Sequence, residues 1–297
     1  MGEYIGVVSP AEGFVQTATF NFGRYSQREN YSRVNRNLTD KVLGLLGGQD
    51  LTAVDVAMGH GMVPRSAAKN LAGTNRRLYM VGVDIDAYAV EQAKLQIPDT
   101  PNVHFTFLTG DARALPKILA GYIKPGEADW TSIHDSIHEI RDDQAKADII
   151  KNQALILRPG RLLSYNSAFT TEAIGREWAV WQIEFMRLFR AHKYRGEDVQ
   201  KLPIHQPSFY RSLIIEAGLT PIHETLVQVP HYQGELEAIS EYPPFVNGFT
   251  QMMVFDHAVY LEEAVEGMKR SIQPMLSRLN ADSIIRVWHE IIAQKPV

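Results

Sequence analysis

Val54-Asp55-Val56-Ala57-Met58-Gly59-His60-Gly61 joins the end of an apolar run, Leu51 to Val56, to the start of a helical pattern, Met62 to Leu71. A strand that turns straight into a helix needs small residues at the turn. They let a ligand come close to the backbone, and the first turn of the helix offers free N–H groups. A two-glycine turn is common, so this stretch alone does not fix a function. It does fix where to look next, because a strand feeding a helix is the opening half of a crossover unit.

The pattern repeats downstream. Leu78 to Val83 reads as a second strand and Ala87 to Leu95 as a second helix, stopped near Pro98. Val103 to Leu108 is a third strand and Ala128 to Ile133 a fourth. A helix follows from about Asp142 to Leu157, then a turn at Arg158-Pro159-Gly160 and a fifth strand from Arg161 to Tyr165. Strands alternating with helices of about 10–15 residues imply right-handed crossovers and a mostly parallel, doubly wound α/β sheet covered on both faces. Ser208 to Ala217 reads as another helix, Ile222 to Val229 as a strand and Ile284 to Ala293 as a last strand. Upstream, a helix is expected to be capped at Asn37-Leu38-Thr39 and to end at Gly47-Gly48. Tyr260 to Leu279 is helical in period, with Pro274 expected to kink or divide it.

The strand ends carry the chemistry. About 23 residues beyond Gly61, the second strand closes on Val83-Asp84-Ile85-Asp86. A carboxylate at that tip can accept hydrogen bonds from both hydroxyls of a ribose, which points to an adenosine-containing cofactor. Asp86 fits a helix N-cap better than Asp84 does. The third strand runs into Thr109-Gly110-Asp111-Ala112, and the fourth into His134-Asp135-Ser136-Ile137-His138-Glu139.

In this order the features resemble the class I S-adenosylmethionine-dependent methyltransferases. The resemblance implies a seven-stranded Rossmann-like sheet with Gly59 and Gly61 under the methionine part and Asp84 and Ile85 at the ribose. It also implies that Asp111 and Ala112 face the adenine and that His134 and Asp135 stand near the reacting end. Ala57 occupies the place where the family usually has its first glycine. If its φ is positive, the side chain costs about 1 kcal/mol or more. The resemblance further implies an N-terminal helical lid, residues 1–48, ahead of a cofactor-binding catalytic domain, 49–297, with helical insertions at about 172–205 and 232–283. Tyr25 or Tyr31 is expected to reach the cofactor from that lid, and Asn35 and Arg36 lie in the same polar segment.

Each residue also has a plainer reading. His134, Asp135 and His138 serve equally as caps and loop polar groups; the sharper reading makes His134, Asp135 or Tyr25 catalytic. A metal on His134, His138 and Glu139 suits helical spacing, but methyl transfer needs none, so no metal is expected. Trp178, Trp181, Phe185 and Phe189 read as core or homodimer contact before substrate cage. Tyr242, Phe245 and Phe249 could line a pocket or simply pack.

The chain has 297 residues, 45% hydrophobic, a formal net charge of -4 and no cysteine. Disulfides, thiolate metal sites and a cysteine nucleophile are excluded. The slight acidity argues against a nucleic-acid footprint. No stretch reaches about 18 consecutive apolar residues, and Met1 to Gly6 lacks the pattern of a signal peptide, so a cytoplasmic enzyme without membrane attachment is expected. The sequence therefore leads to an S-adenosylmethionine-dependent methyltransferase acting on a small molecule by in-line transfer from the sulfonium. Two alternatives stand beside it. One is attack at another carbon of the same cofactor, by aminocarboxypropyl transfer or ring closure, releasing methylthioadenosine. The other is a nicotinamide-dependent oxidoreductase, which explains the first turn and Asp84 but not Gly110-Asp111-Ala112.

Overall fold

The computed structural model of the chain describes residues 4–6, 18–172, 175–193 and 203–297. The strands are β1 (Tyr4–Ile5), β2 (Leu51–Val56), β3 (Leu78–Asp84), β4 (Val103–Thr109), β5 (Ala128–His134), β6 (Leu157–Ser167), β7 (His192–Lys193), β8 (Thr220–Tyr232), β9 (Met253–Phe255) and β10 (Ser283–Gln294). The helices are α1 (Gly23–Ser26), α2 (Glu29–Leu45), α3 (Met62–Leu71), α4 (Ala87–Gln96), α5 (Leu115–Ile118), α6 (Asp143–Ile156), α7 (Arg176–Leu188), α8 (Pro207–Glu216), α9 (Gln233–Ile239), α10 (Pro243–Thr250) and α11 (Leu261–Leu279). The Cα packing divides the chain into two units. One gathers 1–30, 173–203 and 228–287; the other gathers 31–172, 204–227 and 288–297. The sequence had placed a boundary at residue 48. Here α2 runs across residue 30, and both expected insertions group largely with the N-terminal residues. Residues 1–3 and 7–17 of the expected lid, and 173–174 and 194–202 of the first insertion, lie outside the described residues.

The second unit is built on a seven-stranded sheet in the order β4-β3-β2-β5-β6-β10-β8. β2 pairs in parallel with β3 and β5, β3 with β4, and β5 with β6. β10 enters between β6 and β8 and runs antiparallel to β6, with Glu290 opposite Asn166 and Ile292 opposite Ser164. The central strands are apolar on both faces because helices cover both. Val54, Val56, Val81, Val83, Ile133, Leu163 and Ile291 join Ile149 and Ile150 of α6 and Ile214 of α8 in one buried cluster.

Two local expectations are corrected and a third is narrowed. β6 begins at Leu157, not Arg161, because the Arg158-Pro159-Gly160 segment is a bulge within the strand. Leu157 pairs with Ala128 and Leu162 with Trp130, so the extra residues loop out, with Gly160 at φ 75°. Arg158 and Arg161 both reach the buried Asp129 carboxylate, at 3.0 and 3.2 Å, and hold the bulge. α2 begins at Glu29, well before Asn37, because the polar residues Tyr31 and Asn35 point inward and spoil the apolar period used to find its start. Of the two outcomes expected at Pro274, division does not occur: α11 runs as one helix from Leu261 to Leu279. Asp86 caps α4 as expected, accepting from the Tyr88 N–H at 2.9 Å.

The first unit is helical, with a small antiparallel sheet in the order β1-β9-β7. The aromatic stripe of α7 packs as core: Trp181 and Phe185 are fully buried, and the Trp181 indole N–H donates to Ser271 Oγ of α11 at 2.9 Å. Trp181 and Phe185 each meet Phe249 of α10 edge-on. This makes the packing reading the right one for these rings.

Candidate functional site

At the carboxyl ends of β2, β3, β4 and β5, four loops lie side by side. The first is the turn after β2. Ala57, Gly59 and Gly61 take φ of 51°, 55° and 75°. All three stand in the left-handed region, and at position 57 an alanine bears the cost the sequence reading feared. The two glycines are needed for different reasons. A Cβ on Gly61 would lie 2.2 Å from Ile97 Cδ1, so the start of α3 is pressed against the end of α4. A Cβ on Gly59 would meet no atom within 4 Å. The turn is therefore open on that side, as a ligand cradle has to be.

The second loop is tied to the first by Asp84. Its Oδ2 accepts from the Gly59 N–H at 2.7 Å and its Oδ1 from the Asp86 N–H at 2.8 Å. Burial pushes the Asp84 carboxyl upward, and these backbone donors pull it back. Each oxygen keeps acceptor capacity for a further donor. Next to it the Ile85 side chain is 70% exposed, an apolar surface at the rim of the loop. The third loop continues the same scaffold, since the Gly110 N–H donates to the Asp84 carbonyl at 2.8 Å. Asp111 caps the short turn Ala112–Ala114, accepting from the Arg113 N–H at 2.9 Å. Its ion pair with the Arg113 guanidinium holds its carboxyl below the usual range.

The fourth loop begins at His134. The ring is buried, its Nε2 lies 2.9 Å from Ser164 Oγ, and its Nδ1 has no hydrogen-bond partner among the described residues. Burial pushes its pKa down to about 3, so the imidazole stays neutral at physiological pH. Asp135 follows at φ 49°. Its N–H donates to the Asn166 side-chain carbonyl at 2.9 Å, and its Oδ1 accepts from the Ala168 N–H at 2.9 Å. Asn166 in turn donates to Asn35 of α2 at 2.8 Å. A chain of amides thus links α2, β6 and the loop after β5. His138 Nδ1 lies 3.1 Å from Ser167 Oγ. Among the described residues no three His, Asp or Glu side chains group to hold a metal ion.

The structure thus brings Ala57, Gly59, Gly61, Asp84, Ile85, Asp111, Ala112, His134 and Asp135 to one edge of one sheet. Tyr31 belongs to the same unit; it is buried in α2, with its ring edge-on to Trp288. Tyr25 belongs to the other unit. There it is fully buried, with its hydroxyl 2.6 Å from His231 Nε2 and accepting from Arg286 at 3.0 Å.

No protein-family model and no curated protein matches the sequence. Solved structures do match. A candidate sarcosine dimethylglycine methyltransferase of Galdieria sulphuraria aligns over 96% of this chain and 92% of its own, at 14% identity and a TM-score of 0.53. The N-methyltransferase NodS of Bradyrhizobium japonicum, solved with S-adenosylhomocysteine, aligns over 92% and 91%, at 10% identity and a TM-score of 0.51. The [4+2]-cyclase SpnF aligns over 96% and 86%, at 15% identity and a TM-score of 0.51. The chain has the class I methyltransferase fold. Within that fold, sequence reasoning passed over Asn166, Ser164 and Glu290. The signal was present for Glu290, an acid set in the apolar run Trp288-His289-Glu290-Ile291-Ile292 of the last strand.

Proposed function

We propose that this chain is an enzyme that binds S-adenosylmethionine at the edge just described and transfers its methyl group to a small-molecule acceptor. The carrying observation is the Gly59–Asp84 clamp. It fixes the open turn against an acidic strand tip, which fits a ligand with a carbon–sulfur chain joined to a ribose. Asp84 and Ile85 would hold the ribose, Asp111 and Ala112 the adenine, and Gly59 and Gly61 would line the methionine part. Bound there, the cofactor supplies an activated methyl group on a sulfonium. The chain's task is then to place an acceptor in line and to keep water out. His134, being neutral and buried, is suited to a hydrogen-bonding role and poorly suited to carrying charge. Asp135, held in a left-handed conformation by Asn166 and Ala168, fixes the loop facing the reacting end. Tyr31, on the helix bonded to Asn166, is the aromatic we assign to the cofactor's vicinity.

Calorimetry tests the reading. S-adenosylmethionine and S-adenosylhomocysteine should bind, NAD should not, and Asp84→Asn should weaken binding at least tenfold. Binding of NAD alone would overturn it. A nicotinamide enzyme with the six-stranded dinucleotide fold would also have an all-parallel sheet, whereas β10 is antiparallel. A second reading keeps the cofactor but uses another carbon. It draws on Ala57, an alanine held at positive φ where the usual turn has a glycine. Methyl transfer leaves S-adenosylhomocysteine and the other route leaves methylthioadenosine, so product analysis separates them.

A further inference from the structure

β5, β6 and β10 present one row of side chains to α2. His134 on β5 is paired in register with Asn166 on β6, which is paired with Glu290 on β10. Side chains opposite one another in neighbouring strands project from the same face. The central member, Asn166, reaches Asn35 of α2, so the row faces that helix. The two outer members differ. His134 Nδ1 is buried without a partner among the described residues, and Glu290 is only 4% exposed, with desolvation and the Lys41 charge, and no hydrogen-bond donor among the described residues, acting on its carboxyl. From α2 itself the fully buried Thr39 Oγ1 is likewise unpartnered. Lys41 of α2 is the charged group that acts on Glu290, and its ammonium is 3.0 Å from His223 Nε2 instead. Desolvation pushes the Glu290 carboxyl up to about 7.

A largely desolvated carboxyl is costly to ionise unless a donor or an opposite charge comes to it. The row sits at the last residue of β5 and the second-last of β6, the same sheet edge that carries the turn at Gly59 and the Asp135 loop. We propose that Glu290 is a specificity-determining residue for the acceptor, and that it receives a positively charged or N–H-donating nitrogen, so that the acceptor class is an amine. This rests on the transferase reading above. An amine brings donors to Glu290, and the neutral His134 ring, on the far side of Asn166 in the same row, adds no competing charge. An acceptor with a carboxylate or phosphate at this position would be repelled by the ionised Glu290 and would oppose its ionisation, whereas a cation favours it.

The probes are ethylammonium and propionate, titrated into the protein and followed by NMR with and without S-adenosylhomocysteine. Ethylammonium should bind the native protein and bind Glu290→Gln at least tenfold more weakly, while propionate binds neither. S-adenosylhomocysteine should bind both proteins within twofold, which reports that the variant is folded. An infrared difference spectrum of the native protein at pH 6 gives a second readout. Adding ethylammonium should convert the buried protonated carboxyl band to an ionised one. Equal ethylammonium affinity in the two proteins, no ethylammonium binding, or preferential propionate binding would each overturn the proposal. Absence of S-adenosylhomocysteine binding alone would overturn the function reading and leave the probe result to decide Glu290 by itself.

Discussion

Gly61→Ala separates two penalties that usually arrive together. The backbone at position 61 has φ 75°, and an alanine held there costs about 1–2 kcal/mol relative to glycine. Lower entropy of the unfolded chain returns about 0.4–1 kcal/mol of that. The new methyl would also lie 2.2 Å from Ile97 Cδ1 and 3.5 Å from Ala93 Cβ. Ile97 is buried in a small cluster with Met58, Val90, Ala93 and Phe107, so its tip has little room to retreat. Overpacking of that kind costs about 1–3 kcal/mol. The single variant should therefore lose about 1–4.6 kcal/mol. Ile97→Val deletes the clashing atom and costs about 0.5–1.5 kcal/mol alone. Combined, the two should lose about 1–3 kcal/mol less than their sum, because only the steric part is shared. Urea unfolding gives the cycle, and amide exchange along α3 and α4 checks that the loss is local. A Gly61→Ala protein within about 0.5 kcal/mol of the parent would refute the backbone argument. A strictly additive cycle would refute the clash.

Three further outcomes follow from the same geometry. Asp55 is buried, accepts from Ser132 Oγ at 2.6 Å, and is pushed up to about 8 by desolvation. Because its folded value lies above its unfolded one, the native state holds a proton that the unfolded chain has lost. Stability should then fall as pH rises from about 4 to 8, by at most about 1.4 kcal/mol per pH unit. Asp55→Asn should remove that slope in thermal melts, and parallel pH profiles would count against it. Tyr25→Phe removes the hydroxyl between His231 and Arg286 and should cost about 1–3 kcal/mol, read as a lower melting temperature; an unchanged melt would mean that the two groups are satisfied without it. Ala57→Gly relieves about 1–2 kcal/mol of backbone strain but loosens the unfolded chain, so it should be neutral to stabilising by up to about 1.5 kcal/mol. A marked loss of stability in denaturant titration would show that the Ala57 methyl packs usefully.

The central sheet was readable because β2, β3 and β5 are short apolar runs ended by glycine, aspartate or histidine, and each is followed by a helix with its own period. Local pattern and tertiary role agree there. At β6 they disagree: Pro159 and Gly160 announce a turn, and only pairing with Ala128 and Trp130 on a distant strand shows that the ladder resumes around a bulge. α2 hid its start because its inward face carries Tyr31 and Asn35, whose partners lie more than a hundred residues away. The helical unit was least legible, since its core joins α1, α7, α9, α10 and α11 from three separated stretches. At the site, the glycine turn and Asp84 signal themselves by type and spacing. Glu290 does not, because its meaning comes from the register of β10 against β6.

The placement of β10 also bears on how the protein is made. Synthesis delivers β6 and β8 long before Ser283–Gln294, yet the last strand belongs between them. Until Ser283–Gln294 has left the ribosome, β6 and β8 each present an unpaired backbone edge, and both are open to pairing with a neighbouring nascent chain. The sheet closes only when the final segment is inserted, a non-local event that pays its loop-closure entropy late. Ribosome-stalled chains ending before residue 283 should accordingly be the most chaperone-dependent and the most easily cleaved, whereas chains in which residues 283–294 have emerged complete the sheet in a single closing step.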